Sequence, residues 1–527
     1  MDPPLTDRLL RSWLRCKRRA WLDRHGPFEQ RQWSAHRALA LQEQLASFQA
    51  LLPSRPGRGE AACAAAAAGV VGLRLKGRGP QGLPLEAHPA LLERIEGSSR
   101  WGDYSYRPVL ARQGYRLTRE HRLQMALWGR LLGELQQAPV DHGLVVAGGD
   151  RQLQQERLAL TSSLQRQLDD SLERLAADLT LASPPALVND RKKCTLCSWR
   201  GLCDAEARAE GHLSEVSGIG GKRREMLLEQ GITSLAQLAG SDPERLAEQL
   251  EVHGEQHRAI AAELVAQARV QASGVPQRLE DPARLEPLPE LAQAPGVLLY
   301  DIESDPDARD DFLHGFVVVP RLAAGGWPAL AELTAETCRY QPLLALHEHG
   351  EQRLWLRLRR LLAAYPGWPV LHYGETEAVG LVRLAQRQGA SDAEIQRLRA
   401  RLLDVHARLR QCWRLPVGSY GLKAVASWLG FRWSQAGVDG ARCLLWWRQW
   451  RQDRHEPGAR GQAARASLQR IFQYNCDDSL ATWAVVRWLL DQPGSESSSH
   501  GVPAAAAGDS PSLTLSPSPS PAARKPG

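Results

Sequence analysis

The sequence predicts a multidomain α/β protein in which two α/β units flank a small helical module. Three observations carry this expectation. The chain has 527 residues, too many for one hydrophobic core and enough for about three domains at roughly 150 residues each. Strand-like apolar runs and helix-period stretches occur in both its N-terminal and C-terminal parts. Between them, residues 211–273 read as short helices separated by glycine turns, followed by a Pro-rich spacer over 274–295.

Composition narrows the partners. The formal net charge is +7, and the basic residues are nearly all arginine, a balance that favours a polyanionic partner such as DNA or RNA. Met1 to Leu10 holds no apolar segment of signal-peptide length. No later stretch reaches the roughly 18 apolar residues of a membrane span. The expectation is a soluble cytoplasmic protein without a membrane partner. In a reducing compartment the nine cysteines are free thiols or metal ligands.

Residues 5 to about 50 read as helical around Leu9, Leu10, Trp13 and Leu14. Gly59 to Gly82 reads as loop with strand near Val70 to Leu75. Residues 101–118 alternate aromatic and polar residues as a strand does, a helix follows over Arg119 to Leu135, and further helix is expected from Leu153 to Leu181. This part closes on Cys194-Thr195-Leu196-Cys197, with Cys203 following, behind Arg191, Lys192 and Lys193. Three cysteines so close together form a soft-ligand set for a metal ion or cluster, and Cys16 is the candidate fourth.

These cysteines make residues 1–210 resemble the RecB-like PD-(D/E)XK nucleases in which one early cysteine and a late C-x2-C-x5-C triplet hold a 4Fe-4S cluster. The resemblance implies such a cluster on Cys16, Cys194, Cys197 and Cys203, with zinc as the alternative. The nuclease signature departs from that family. His36 fits the helical histidine, but the family's metal-binding Asp falls on Ala90 in Pro89-Ala90-Leu91-Leu92, and its D/E-x-K falls on Leu110-Ala111-Arg112. Glu86, Glu93 and Asp103 are nearby substitutes. Without two carboxylates a divalent ion is not held, and arginine does not deprotonate to assist a nucleophile. The expectation is a degenerate nuclease domain kept for structure and nucleic-acid grip.

Next, Val216-Ser217-Gly218-Ile219-Gly220-Gly221-Lys222-Arg223-Arg224 precedes helix-like Glu225 to Gln230, with a further helix near Pro243 to Leu250 and another over 254–272. This resembles a helix-hairpin-helix. Gly218 and Gly220 expose backbone N–H groups at a helix start, where a phosphate is favoured, and Lys222 and Arg223 add charge.

The last ordered part, residues 296–491, starts from Leu298-Leu299-Tyr300-Asp301-Ile302-Glu303. Side chains alternate across a strand, so Asp301 and Glu303 share one face as a candidate metal pair. Strands near Phe312 to Val319 and Leu343 to His347, a helix over Glu351 to Ala364, a strand at Pro369 to Tyr373 and a helix carrying Glu377 follow. Tyr474 and Asp478 stand four apart on a final helix, Gly461 to Leu490. These residues resemble the RNase H-like DEDD exonucleases whose third motif is Y-x-x-x-D. Asp301 and Glu303 match the first motif and Glu377 the second, where Glu replaces the usual Asp; Tyr474 and Asp478 match the third. Glu375 competes with Glu377, and Asp477 with Asp478.

The whole arrangement resembles a bacterial RecB-like putative nuclease family that fuses these three parts. That resemblance implies a metal-dependent 3′-to-5′ exonuclease on DNA or RNA, using magnesium or manganese, with Tyr474 orienting the attacking water. The alternative is a non-catalytic nucleic-acid-binding scaffold. Residues 492–527, rich in Ser, Pro, Ala and Gly, read as a disordered tail.

Overall fold

The computed structural model describes residues 3–112, 116–148, 153–279, 288–305, 310–334 and 337–492. The Ser/Pro-rich tail beyond 492 and the middle of the Pro-rich spacer lie outside the described residues. The chain forms two compact units, Met1–Ala209 and Glu210–Gly527.

The first unit is built on a six-stranded sheet. Its order in space is Gly57–Arg58, Gly69–Val71, Leu91–Ser99, Gly102–Ala111, His142–Ala147 and Gln154–Ala159. Leu91–Ser99 and Gly102–Ala111 form an antiparallel hairpin, whereas Gly102–Ala111 and His142–Ala147 run parallel. Parallel neighbours need a crossover, supplied by the helix Arg119–Gln136, which starts on a Thr118/His121 capping box. Leu123, Leu127 and Leu131 of that helix join Leu10, Leu168 and Leu172 in the main core. On the other face, Phe48 of the helix Ala35–Leu51 packs with Leu91, Val109, Leu144 and Val146. Along the chain the sheet thus receives four strands between the helices Ala35–Leu51 and Arg119–Gln136 and two after them.

Two expectations for this part are corrected. The helix expected from Leu153 begins only at Ser162, capped by Thr161. Gln154–Ala159 is instead an edge strand, of whose residues only Leu158 is buried. Its outward side chains give no alternation to read. Gly59–Ala64, expected as loop, is a short helix. The strand His142–Ala147, buried along most of its length, had no expectation attached to it, because a short continuous apolar run carries no period of its own.

The second unit starts with five short helices, Gly221–Glu229, Leu235–Ala239, Pro243–Glu251, Glu255–Arg258 and Ala261–Ser273. They close over Leu213, Val216, Leu227, Leu238, Leu246 and Leu264. The single helix expected over 254–272 breaks at Ala259–Ile260. The described ends of the Pro-rich spacer are packed rather than extended. Gln277–Arg278 pairs antiparallel with Trp413–Arg414, and Leu288 and Leu291 are buried in the core, because an apolar residue between prolines still gains from burial.

A five-stranded sheet follows, ordered Arg339–Leu344, Asp310–Pro320, Gly296–Asp305, Val370–His372 and Leu402–Asp404. The first three strands are antiparallel, and the last two run parallel to the central one. Leu402–Asp404 had not been anticipated. Alternation along Gly296–Asp305 divides two cores. Leu298, Tyr300 and Ile302 pack with Leu358, Leu381 and Leu398 of the helices Gly350–Ala364, Glu375–Arg387 and Asp392–Arg401. Val297 and Leu299 pack with Leu409, Val425 and Leu480 on the opposite face, which turns Asp301 and Glu303 toward the long helix Gly458–Leu490.

Gly315 sits opposite Asp301 in register. A Cβ there would lie 1.6 Å from Asn475 Oδ1, so only glycine leaves room for Asn475, whose amide donates to Asp301. Gly315→Ala is expected to displace Asn475 and destabilise the unit by about 1–3 kcal/mol, as overpacking does. Urea unfolding checks this through a lowered midpoint at unchanged slope.

Candidate metal centre

Asp301 and Glu303 come from the central strand and Asp478 from the long helix. Carboxylate oxygens of these three lie within 4.8 Å of one another, the one such set of metal-ligating donor atoms among the described residues. Tyr474 stands one helical turn from Asp478 on the same face.

Burial and mutual repulsion set the protonation of the cluster. Burial, then the charges of Asp478, Glu303 and Glu377, holds the Asp301 carboxyl well above its usual range, against the hydrogen bond from Asn475. Glu303 is raised by burial and Asp478, with Lys423 opposing. Asp478 is pushed up to about 6 by burial, opposed by Trp433, Lys423 and Tyr474. Burial likewise raises Glu377 to about 7, with Asp404, Asp311 and Asp478 adding repulsion. One Glu377 oxygen, Oε2, is buried without a hydrogen-bond partner.

Backbone geometry explains how Glu377 arrives. Gly374 has φ +113°, outside the range that side chains favour, and its N–H donates to Asp404 at 3.0 Å. Asp404 also caps the helix Val405–Cys412 through Ala407 N–H. The turn places Glu377 in the first turn of Glu375–Arg387, 9 % exposed, whereas Glu375 is exposed. That distinguishes the two candidates. Asp477 is separated from Asp478 in the same way: it accepts from Ser434 N–H and Oγ and from Gln473, so it anchors a loop.

Sequence reasoning missed two contacts that hold the acids in place and one that covers Tyr474. Asn475 Nδ2 donates to Asp301 at 2.6 Å and its Oδ1 accepts from Tyr340 at 2.9 Å. Trp433 Nε1 donates to Asp478 at 2.6 Å. The exposed Lys423 places its ammonium 4.8 Å from the Tyr474 ring centroid. Asn475 follows Tyr474 directly, so its neighbourhood was a signal. Nothing local marks Trp433, which meets Asp478 only through the fold.

In the helical module Gly218 has φ +88° and Gly220 is the N-cap of Gly221–Glu229. Lys222 is exposed. Arg223 turns back, its guanidinium donating to the Gly218 carbonyl at 2.6 Å, which stiffens the loop.

In the first unit, Cys16 sits at the break between the helices Asp7–Arg15 and Lys17–His25. It lies beside the late triplet: burial raises the Cys194 thiol to about 11, with Cys197, Cys16 and Cys203 adding repulsion. The buried Arg18 opposes the burial that raises Cys203. At the RecB-like positions Leu110 is buried, Ala90 half-buried and His36 exposed. The Arg112 N–H is spent on the Val146 carbonyl. Glu86 pairs with Arg74 and Glu93 with Arg107, and Asp103 is exposed.

Residues 298–490 match the RNase H superfamily, and residues 210–249 match the SAM-like helix-hairpin-helix tandem family. No curated protein matches the chain. The two matches, together with the fold, identify a C-terminal RNase H-like domain behind a helix-hairpin-helix module and point to a nuclease-type protein that binds nucleic acid. Among the described residues no helix is long and apolar enough to cross a membrane.

The raised carboxyl groups have a defined pH consequence. Asp478 and Glu377 have ordinary values of 3.8 and 4.5 and folded values of about 6 and about 7. Their stabilising contribution is therefore present below about pH 4 and lost as pH rises toward 7. With divalent metal removed, the thermal midpoint is expected to fall between about pH 4 and 7. Asp301→Asn flattens that fall, and added manganese raises the midpoint more at the upper end of the range than at the lower.

Proposed function

We propose that this protein is a metal-dependent exonuclease that hydrolyses DNA or RNA from a 3′ end in its RNase H-like domain. The convergence of Asp301, Glu303 and Asp478 oxygens within 4.8 Å, with Glu377 and Tyr474 beside them, carries this reading. An all-oxygen, carboxylate donor set suits magnesium or manganese. The orphaned Glu377 Oε2 supplies a further acceptor awaiting a partner.

Asp301, Glu303, Glu377 and Asp478 would hold the metal. Divalent ions so held stabilise charge on the attacking and leaving oxygens of phosphodiester hydrolysis. The protein's own groups do the rest. Asn475 and Trp433 fix the rotamers of Asp301 and Asp478. Burial and Asp478 raise the Tyr474 phenol far above its usual value, so it stays neutral and orients the attacking water. As that water's oxygen bonds to phosphorus, the P–O3′ bond breaks and the leaving oxygen takes a proton, releasing a 5′-nucleotide. Lys423 offers positive charge on the open side. Gly218, Gly220, Lys222 and Arg223 grip backbone phosphates without reading sequence.

End-labelled single strands are expected to be degraded in manganese, with Asp301→Asn and Asp478→Asn each losing about 100-fold or more, above the loss typical of second-sphere changes. Equal activity in wild type and variants would overturn the reading in favour of a binding scaffold.

The first unit is proposed to be a RecB-like domain that no longer cuts, on the apolar Ala90 and Leu110. A 4Fe-4S cluster on Cys16, Cys194, Cys197 and Cys203 would staple its two ends. Four thiolates are soft ligands that also suit zinc, which is the alternative. A brown preparation whose visible absorbance is lost in Cys197→Ser supports iron; a colourless, zinc-containing anaerobic preparation rejects it.

A further inference from the structure

The face of the long helix that carries Asp478 and Tyr474 continues outward to side chains that the chemistry above leaves unused, Arg470 and the Trp446 beside it. Asp478, Tyr474 and Arg470 stand four residues apart on Gly458–Leu490, so they share one face. At a rise of 1.5 Å per residue, Arg470 lies about 12 Å from Asp478 along the axis. Arg470 is exposed, and its guanidinium lies over the Trp446 ring, 5.6 Å from the centroid. Arg442 covers the same ring at 5.9 Å.

Trp446 belongs to the helix Gly440–Asp453, which buries Cys443, Leu444, Trp447 and Trp450 and leaves Trp446 half-buried. The segment 433–435 runs beside the same face. Trp433 donates to Asp478 at one end, and Gln435 donates to the Arg470 carbonyl at the other. Lys423 bridges the near part, 4.8 Å from the Tyr474 ring and 5.8 Å from Trp433. Cations and aromatic rings therefore interleave from the edge of the acid cluster outward.

We propose that this row, Trp433, Lys423, Tyr474, Arg470 and Trp446, is the path along which a single-stranded polynucleotide end reaches the carboxylates. The proposal rests on the nuclease reading of that cluster and names its substrate as unpaired strand. The argument is one of available faces. In a duplex each base face is covered by its neighbours. An unpaired base can lie on an indole or a guanidinium plane, and the backbone beside it meets the cations. Arg470 suits this because it is backed by Trp446 and open to solvent. Without bound cations the acid cluster repels phosphate, and cations standing outside it favour the approach of a strand.

The test uses the full-length protein in chelator, where no cleavage occurs, and fluorescence anisotropy of labelled oligothymidine, oligouridine and a blunt DNA duplex. Arg470→Ala and Trp446→Ala are expected to weaken single-strand binding about 10-fold, as loss of one base stack does. Trp446→Phe keeps most of the affinity, and duplex binding is unchanged in all three. In manganese, kcat/KM on single strands falls by the same factor while kcat at saturation is retained. Because Arg470 is exposed, its variant remains informative where Trp446→Ala fails to fold. Single-strand affinity unchanged in Arg470→Ala, or an equal loss on duplex, overturns the path. Weakened binding in the variants of a wild type that degrades nothing leaves the path standing and removes the nuclease reading instead.

Discussion

The constraint on which the C-terminal unit depends is repulsion between carboxylates held together away from water. Two unit charges 4 Å apart interact by about 4 kcal/mol at an effective dielectric near 20, and at least three acids meet here. The surrounding structure tempers that repulsion without neutralising it. Asn475 and Trp433 donate to individual oxygens, and the Lys423 charge opposes the rise at Glu303 and Asp478 from outside. None of these is an ion pair, so the acids keep their capacity for a cation. Gly315 belongs to the same device, because the missing side chain opposite Asp301 is what admits Asn475.

The helix-hairpin-helix module is wired to this site rather than tethered to it. Gln267, on Ala261–Ser273, donates to the Leu415 carbonyl at 2.9 Å and accepts from the Tyr420 hydroxyl at 3.3 Å. Tyr420 in turn accepts at its carbonyl from Tyr373, adjacent to Gly374. Toward the hairpin, Gln271 donates to the Glu215 carbonyl and accepts from Ser217 N–H. Buried polar contacts of this kind are costly to leave half-made. The loop proposed to grip phosphate and the turn that delivers Glu377 are thus held in one frame.

Much of this was legible before folding is considered. The apolar run ending in Asp301 and Glu303 is buried on both faces, so its strand character survives any context, and the spacing of Tyr474 and Asp478 fixes a shared helix face. The edge strand Gln154–Ala159 was not legible, because exposed side chains carry no period. Neither was the choice between Glu375 and Glu377, or between Asp477 and Asp478. Neighbouring acids differ only in what the tertiary structure packs around them: Asp477 meets Ser434 and Gln473, whereas Asp478 meets other carboxylates. Trp433 and Lys423 lie far from Asp478 in the chain, and only closure of the unit brings them there.

The two units treat their acids in opposite ways, and that contrast argues for a division of labour. In the first, the candidate substitutes near the apolar Ala90 and Leu110 are spent: Glu86 on Arg74 and Glu93 on Arg107. A carboxylate matched to an arginine offers little to a metal ion. In the second, no arginine among the described residues is paired with Asp301, Glu303, Glu377 or Asp478, and burial with mutual repulsion raises their protonation. Selection for stability alone removes such a cluster, by pairing it or replacing it with apolar side chains. Its place beside a neutral tyrosine, and at the end of a row of cations and rings, suits the chemistry on a polyanion proposed for it.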